Sequence, residues 1–304
     1  MMHDVIIVGG SYAGLSAAMQ VARARRKVLV IDAGQRRNRF SETSHGFLGR
    51  DGHAPGAIAS EAQGQLLAYP TVEFISGAAI AASGEIDAFR VDLADGSTVE
   101  GRRIVLATGV EDVLPDVPGL AAQWGIGAMT CPYCHGYELN RGRIGVLASG
   151  PMSLHQAAML PEWGQTTLLA NGVFDPADPQ LADLAERGVA MEFATVAAVE
   201  GEPGSPVVVL SDGRRLPMDG LFVATRTRIV TPLPQMLGCA IAEGPQGPYV
   251  ATDAMKATTV PGVFACGDVA SPMASVAISV GHGALAGAAV HRSIIFPQTV
   301  AKAA

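Results

Sequence analysis

Aromatic side chains make up only 5% of the 304 residues and charged ones 16%, and there are just two tryptophans and four cysteines. Basic residues are too few for a nucleic-acid surface: 21 Lys and Arg face 28 acidic residues, for a net charge of -7. Their one cluster, Arg23, Arg25, Arg26 and Lys27, has no interleaved aromatics and reads as a solvated helix end. No apolar run reaches the ~18 residues of a membrane span without Gly, His or a charge interrupting it. No positively charged leader or small-residue cleavage site precedes VIIVGG, so the expected location is the cytoplasm. In a reducing compartment four cysteines do not build a static framework, and a CxxC there points to metal binding or catalysis.

What is present is a chain 49% hydrophobic with 36 glycines, patterned as a soluble α/β protein large enough for two cores. Two strand-turn-helix starts, DVIIVGGSYAGLSAAMQVA and RIGVLASGPMSLHQAAML, form an internal duplication. Hairpin tips at Asp95–Gly96 and at Asp212–Gly213 repeat one device, each followed by an apolar strand, RIVLATG (103–109) and GLFVATR (220–226). Proline-bearing segments at 113–119 and 243–250 mark crossings between domains. They predict a first domain from residues 1–112 and 247–304, with a second, 113–246, inserted in it.

In VIIVGGSYAG, the positions Gly9, Ser11 and Gly14 fill the slots of G-x-G-x-x-G, with serine for the middle glycine. That spacing makes a tight turn after a strand and lets a pyrophosphate approach the backbone at a helix N-terminus. The next strand, KVLVID, ends in Asp32, at the ~20-residue offset of an acid that holds a ribose hydroxyl. LATG, ending at Gly109, and VFACGDVA, carrying Gly267 and Asp268, favour FAD over NAD: Asp268 suits a ribityl chain, and a helix starting near Ser275 and Val276 would aim its positive end at a flavin.

MTCPYCHGYE, residues 129–138, holds Cys131 and Cys134. Zinc is disfavoured, because one CxxC supplies two ligands and Cys239 and Cys266 stand alone; no metal is expected. Cys266 reads as a small core residue. Cys131 and Cys134 can close a small disulfide ring, and Pro132 sets them at a helix start that favours thiolates. The alternative is a purely structural disulfide.

VGGSYAG, ATG, CxxC and GDV in this order, over the whole chain, resemble the low-molecular-weight thioredoxin reductase family. CPYCHGYE combined with a worn second nucleotide turn is similar, more closely, to the FAD-dependent dithiol oxidases of disulfide-antibiotic pathways, of the gliotoxin and holomycin type. The resemblance implies two Rossmann-like, three-layer ββα domains, the second inserted in the first. It implies FAD held by Gly9, Ser11, Tyr12, Ala13, Gly14, Asp32, Ala33, Gly34, Arg39, His45, Asp51, Ala79, Ala107, Thr108, Gly109, Gly267, Asp268, Ser275 and Val276. Cys134 would exchange electrons with the flavin while Cys131 meets the substrate sulfur. His135 stands where reductases carry Asp, and is the expected base. His282 is either a second base or a packing residue, His45 and Arg39 sit in a loop that is either flavin-contacting or solvated, and His155 is expected to be structural.

In the second turn Ala148, Gly150 and Ser153 replace G-x-G-x-x-A, and Pro151 follows. Where NADPH-dependent members carry His-Arg-Arg, this chain has Ala170, Asn171 and Gly172, none of which offers the cation a 2′-phosphate wants. The leading expectation is therefore oxidation of a small-molecule dithiol, with dioxygen taking the electrons to give hydrogen peroxide. Alternatives are an NAD(P)H- or ferredoxin-dependent reductase of a thioredoxin-like protein, and a redox-sensing flavoprotein. The family's habit implies a homodimer, and neither nucleic acid nor membrane is expected as a partner.

Overall fold

The computed structural model describes residues 2–297; residue 1 and residues 298–304, the outer ends of the expected first domain, lie outside the described residues. The chain is an α/β protein that divides into two compact units.

The first unit takes the chain up to Arg37, Gly56–Glu111, and the chain from Thr227 on. Its elements are β1 (His3–Val8), α1 (Tyr12–Arg23), β2 (Val28–Asp32), β3 (Val72–Ser76), β4 (Ala79–Ser83), β5 (Phe89–Leu93), β6 (Thr98–Leu106), β7 (Val263–Ala265) and the long helix α2 (Val276–Ile295). β3, β2, β1 and β6 lie side by side and parallel. The far edge of β6 is shared: β5 pairs with its first half antiparallel, and β7 with Ile104–Leu106 parallel. The near-continuous apolar run of β1 follows from this, because a central parallel strand is buried on both faces.

α1 and α2 cover one face, and small residues let them meet backbone to backbone. A Cβ on Gly283 would lie 2.1 Å from the Ala13 carbonyl oxygen, and one on Gly287 would lie 2.5 Å from that of Ala17. Ser16 Oγ donates to the Val280 carbonyl at 2.7 Å across the same seam. Beneath the helices Val5, Ile7, Val30 and Val105 have no exposure; each such side chain contributes about 1.5–3 kcal/mol over leaving it in water.

The second unit comprises Asn38–Pro55 and Asp112–Arg226. Its parallel sheet runs in the order Ala190–Glu192, Gly164–Leu169, Arg141–Leu147, Gly220–Val223, Ala128–Met129. Three antiparallel strands, Val196–Glu200, Val207–Leu210 and Arg215–Pro217, make a separate small sheet. The duplicated hairpin tips close alike. Gly96 and Gly213 both take positive φ, and the Asp95 and Asp212 carboxylates accept the amides of Ser97 and Arg214 two residues on.

The chain enters the second unit at Asp112 and leaves it after Arg226. Thr225 Oγ1 donates to Asp112 at 2.7 Å in that unit, while Arg228 pairs with Glu111 in the other. This differs from the expected boundaries in two ways. Residues 38–55 group with the second unit, and residues 227–246 with the first. Segment 243–250, whose prolines suggest a crossing, is instead the turn of a hairpin joining Ile241–Gly244 to Gly247–Val250, where Gly247 takes a positive φ that other side chains rarely adopt.

Candidate active site

Cys131 immediately precedes a single helical turn, Pro132–His135, and Cys134 lies within it. Cys131 is its N-cap and Pro132 its first residue, where the missing N–H costs nothing. The Cys134 amide donates to the Cys131 carbonyl at 3.2 Å and the Gly136 amide to Pro132 at 2.7 Å. Both cysteines are half-buried. One turn carries little macrodipole, so the spacing of the thiols matters here more than the helix field. Gly136 is demanded by packing: a Cβ there would sit 2.6 Å from the Trp163 ring, which Tyr133 meets edge-on with centroids 5.4 Å apart. Gln156 Nε2 fastens the approach by donating to the Thr130 carbonyl at 2.7 Å.

His135 ends this turn. Burial pushes its pKa below the ordinary 6.5, opposed by the negative charge of Glu138 and reinforced by His45. His45 and Asp51, expected in the sequence beside a flavin, belong to the unit that carries the cysteines. His45 Nε2 lies 3.5 Å from Glu138 Oε1 and 3.2 Å from Thr43 Oγ1, and its Nδ1 lies 3.6 Å from Asp51 Oδ1. Asp51 also accepts the Gly46 amide at 2.8 Å, which fixes the loop. Arg39, in the same unit, stacks over the Phe40 ring at 4.3 Å.

The glycine turn lies in the first unit. Gly9 has φ +106°, and a Cβ there would fall 2.2 Å from the Ala107 carbonyl oxygen; a Cβ on Gly14 would fall 1.7 Å from that of Gly9. Only glycine fits either position. The Gly10 amide donates to Asp32 Oδ1 at 3.0 Å, tying the turn to the end of β2. Ser11 is the N-cap of α1 yet makes no side-chain capping bond, and Tyr12, Ala13 and Gly14 form its first turn. Thr108 Oγ1, between Ala107 and the positive-φ Gly109, is buried without a hydrogen bond among the described residues. Ala33 and the positive-φ Gly34 continue from β2, and Ala79 opens β4.

The other half of this cradle comes from the chain's later segments. Gly267, at φ +74°, brings the backbone against Ala13. Asp268 Oδ1 accepts from Ser279 Oγ at 3.0 Å and Oδ2 from Arg37 Nη1 at 3.1 Å, beside a cleft lined by Arg37, Thr227, Gly247 and Asp268. Ser275 caps α2, accepting the Ile278 amide at 3.1 Å, and Val276 is the helix's first residue. On α2, His282 Nδ1 is buried without a partner among the described residues. Burial and Lys256 lower the pKa of its ring, against the opposing pull of Asp268. An uncapped helix start, glycines that no side chain can replace, a carboxylate and an orphaned hydroxyl suit a flavin dinucleotide's phosphates and hydroxyls.

The second turn is built differently. Ser153 Oγ accepts the Ser149 amide at 3.0 Å, and Pro151 leads into helix Met152–Met159, on which His155 is exposed. Beyond strand Gly164–Leu169, Ala170 is fully buried, Asn171 and Gly172 take positive φ, and Asn171 Oδ1 accepts the Val196 amide at 2.9 Å. Arg214, nearby in the fold, is bidentate on Glu192 and also held by Asp212. Cys239 and Cys266 are buried; burial pushes the Cys266 thiol up to about 12, which makes it inert as a nucleophile. Among the described residues no three His, Cys, Asp or Glu side chains gather as metal ligands, and no helix is long and apolar enough to cross a membrane.

Sequence reasoning missed Trp163, Gln156, Arg37 and the use of Glu138 by His45. Glycine at 136, directly after a helical turn, was the one local sign of a close neighbour.

The pyridine nucleotide-disulphide oxidoreductase model matches residues 3–288. Thioredoxin reductase tcpT of Claviceps purpurea is 34% identical over 299 residues, covering 93% of this chain and 92% of its own. A solved oxidoreductase from Agrobacterium tumefaciens is 51% identical with TM-score 0.94, covering 98% of this chain and all of its own. The crystal structure of HlmI is 35% identical with TM-score 0.90, covering 99% and 95%. With its paired Rossmann-like units and its CxxC turn, the chain belongs to the pyridine nucleotide-disulphide oxidoreductases, as a thioredoxin reductase-like member of a family that binds FAD.

Proposed function

We propose that this protein is an FAD-dependent dithiol oxidase acting on a small molecule through Cys131 and Cys134. The observation that carries the reading is His135, a half-buried imidazole of lowered pKa one residue after Cys134, where it is neutral and able to accept a proton at pH 7. The cradle of Gly9, Gly14, Asp32, Thr108 and Asp268 would hold FAD, which when bound supplies a two-electron acceptor that passes the electrons to dioxygen and yields hydrogen peroxide.

The protein's own steps balance as follows. In the oxidised form Cys131 and Cys134 share a disulfide. A substrate thiolate attacks Cys131 Sγ, forming a mixed disulfide and releasing the Cys134 thiolate. His135 takes the proton of the second substrate thiol, whose sulfur attacks the first, closing the substrate disulfide and releasing Cys131. The substrate has lost two electrons and two protons, and the cysteine pair has gained the electrons. Trp163 and Tyr133 pack edge-on and brace the turn that carries both cysteines.

The second turn supports an oxidase over a nicotinamide-driven reductase. Asn171 is committed to a backbone amide and Arg214 to two carboxylates, so neither is arranged for a 2′-phosphate. The fungal relative's name keeps the reductase reading in play, and that reading runs the same cysteine chemistry in reverse.

His135→Ala is expected to slow dithiol oxidation by about 10²-fold. A lowered pKa also fixes a sign: the base is active when deprotonated, so its contribution is lost as pH drops through a midpoint below 6.5. Peroxide formation followed from pH 4.5 to 8 tests both. An unchanged rate in the variant, or an acid limb that stays put, removes His135 from this role.

A further inference from the structure

One stretch of chain holds the redox turn at both ends. Helix Met152–Met159 runs on through the short turn Leu160–Glu162 to Trp163, so that Gln156 and Trp163 lie about two helical turns apart. Trp163 meets the Cys134 end, where a Cβ on Gly136 would lie 2.6 Å from its ring. Gln156 meets the Cys131 end, its Nε2 donating to the Thr130 carbonyl at 2.7 Å. We propose that Gln156 is a positioning residue for the dithiol chemistry: it fixes the peptide that leads into Cys131, so that this sulfur keeps its place while the Cys131–Cys134 bond is open. This rests on the pair cycling between disulfide and dithiol, as in the proposed oxidase.

Thr130 lies between strand Ala128–Met129 and the helical turn and belongs to neither. Its carbonyl shares a rigid peptide plane with the Cys131 amide, so a bond to the one sets the direction of the other. On the far side of Cys131, its own carbonyl accepts the Cys134 amide at 3.2 Å. Cys131, extended with φ -105° and ψ 114°, therefore has each flanking peptide tied by a hydrogen bond. Gln156 is only 6% exposed, and its amide can face a carbonyl only through the nitrogen, which fixes its orientation. That makes Oε1 a buried acceptor with no partner among the described residues. A neutral hydrogen bond contributes no more to the fold than a buried unpaired carbonyl oxygen costs. For stability the side chain is close to neutral; what it supplies is placement.

The sign of its loss follows. In the closed form the sulfur–sulfur bond itself confines Cys131. In the open form the two main-chain hydrogen bonds do so, and Gln156 restrains the open form more than the closed one. Removing it gives the open form the backbone freedom of about one residue, worth roughly 5- to 30-fold in an equilibrium constant. Exchange with dithiothreitol reads that constant: the cysteine pair takes up two electrons and two protons as dithiothreitol loses them and closes to its cyclic disulfide. Gln156→Met, similar in length and without a donor, should favour the dithiol.

The holoprotein is equilibrated without oxygen in mixtures of reduced and oxidised dithiothreitol, quenched in acid and alkylated, and the state of the Cys131–Cys134 peptide is read by mass. Expected for Gln156→Met is a midpoint at a ratio of reduced to oxidised dithiothreitol about 5- to 30-fold lower than in wild type. Its melting temperature should change by less than about 4 °C. A midpoint that stays put, or moves toward the disulfide, overturns the proposal whatever the melting temperature does. His155→Ala, at an exposed position on the same helix, should leave the midpoint at its wild-type value, and an equal shift there would also overturn it. If Gln156→Met fails to fold, Gln156→Asn carries the test: its amide stops one methylene short of Thr130, and its midpoint should move the same way. The titration needs no oxygen, so it reads Gln156 even if wild-type protein makes no peroxide; that result would sink the oxidase reading alone.

Discussion

Mixed with dithiothreitol in air, the holoprotein is expected to form hydrogen peroxide, and Cys131→Ser or Cys134→Ser is expected to lower that rate by about 10³-fold or more. Serine is nearly isosteric, so the turn should survive: its backbone bonds involve the Cys134 amide and the Cys131 carbonyl, not the sulfurs. What is lost is the pair. Neither single variant can form the ring that a substrate thiolate must open, so each alone should cost as much as both together. Cys266→Ser should leave the rate nearly unchanged, since that thiol is buried and held protonated. A peroxide rate undiminished in the two CxxC variants would mean that flavin reacts with thiols unaided. The same protein mixed anaerobically with NADPH or NADH gives the opposing check, because prompt bleaching of the flavin by either would favour the reductase.

Gly283→Val should lower stability by about 3 kcal/mol, the upper range for overpacking a close seam. Gly283 faces the Ala13 carbonyl with no room for a Cβ, so α2 must lift from α1. The expected change is a melting temperature lower by roughly 6–12 °C, with less flavin retained per protein, because α1 carries the glycine turn at its start. Gly281, two residues earlier on the same helix, has nothing within 4 Å of its Cβ position. Gly281→Ala should therefore stabilise by about 0.5–1 kcal/mol through helix propensity alone. Thermal unfolding of the two variants side by side decides the matter; equal losses would remove the seam as the cause.

The parts of the site that were legible in the sequence are those whose physics is local. Gly9 to Gly14 encode a turn, Asp95–Gly96 and Asp212–Gly213 encode hairpin tips, and Pro132 encodes a helix start, each within a few residues. Arg37 and Asp268 are 231 residues apart, and no periodicity in either neighbourhood announces the other. The loop 38–55 was opaque for the same reason: nothing local in it announces that His45 meets Glu138 of the cysteine-bearing unit. Prolines at 243–250 marked a turn correctly and its purpose wrongly, because a hairpin and a domain crossing ask the same of the backbone.

The shared edge of β6 bears on how the protein emerges during synthesis. Every residue of the cysteine-bearing unit has been made once Arg226 leaves the ribosome. The flavin-type unit must wait: β7 and α2 arrive last, and until they do β6 has a bare half-edge and α1 lacks its cover. The inserted unit is thus poised to mature first, and loading of the dinucleotide becomes a late, post-translational event.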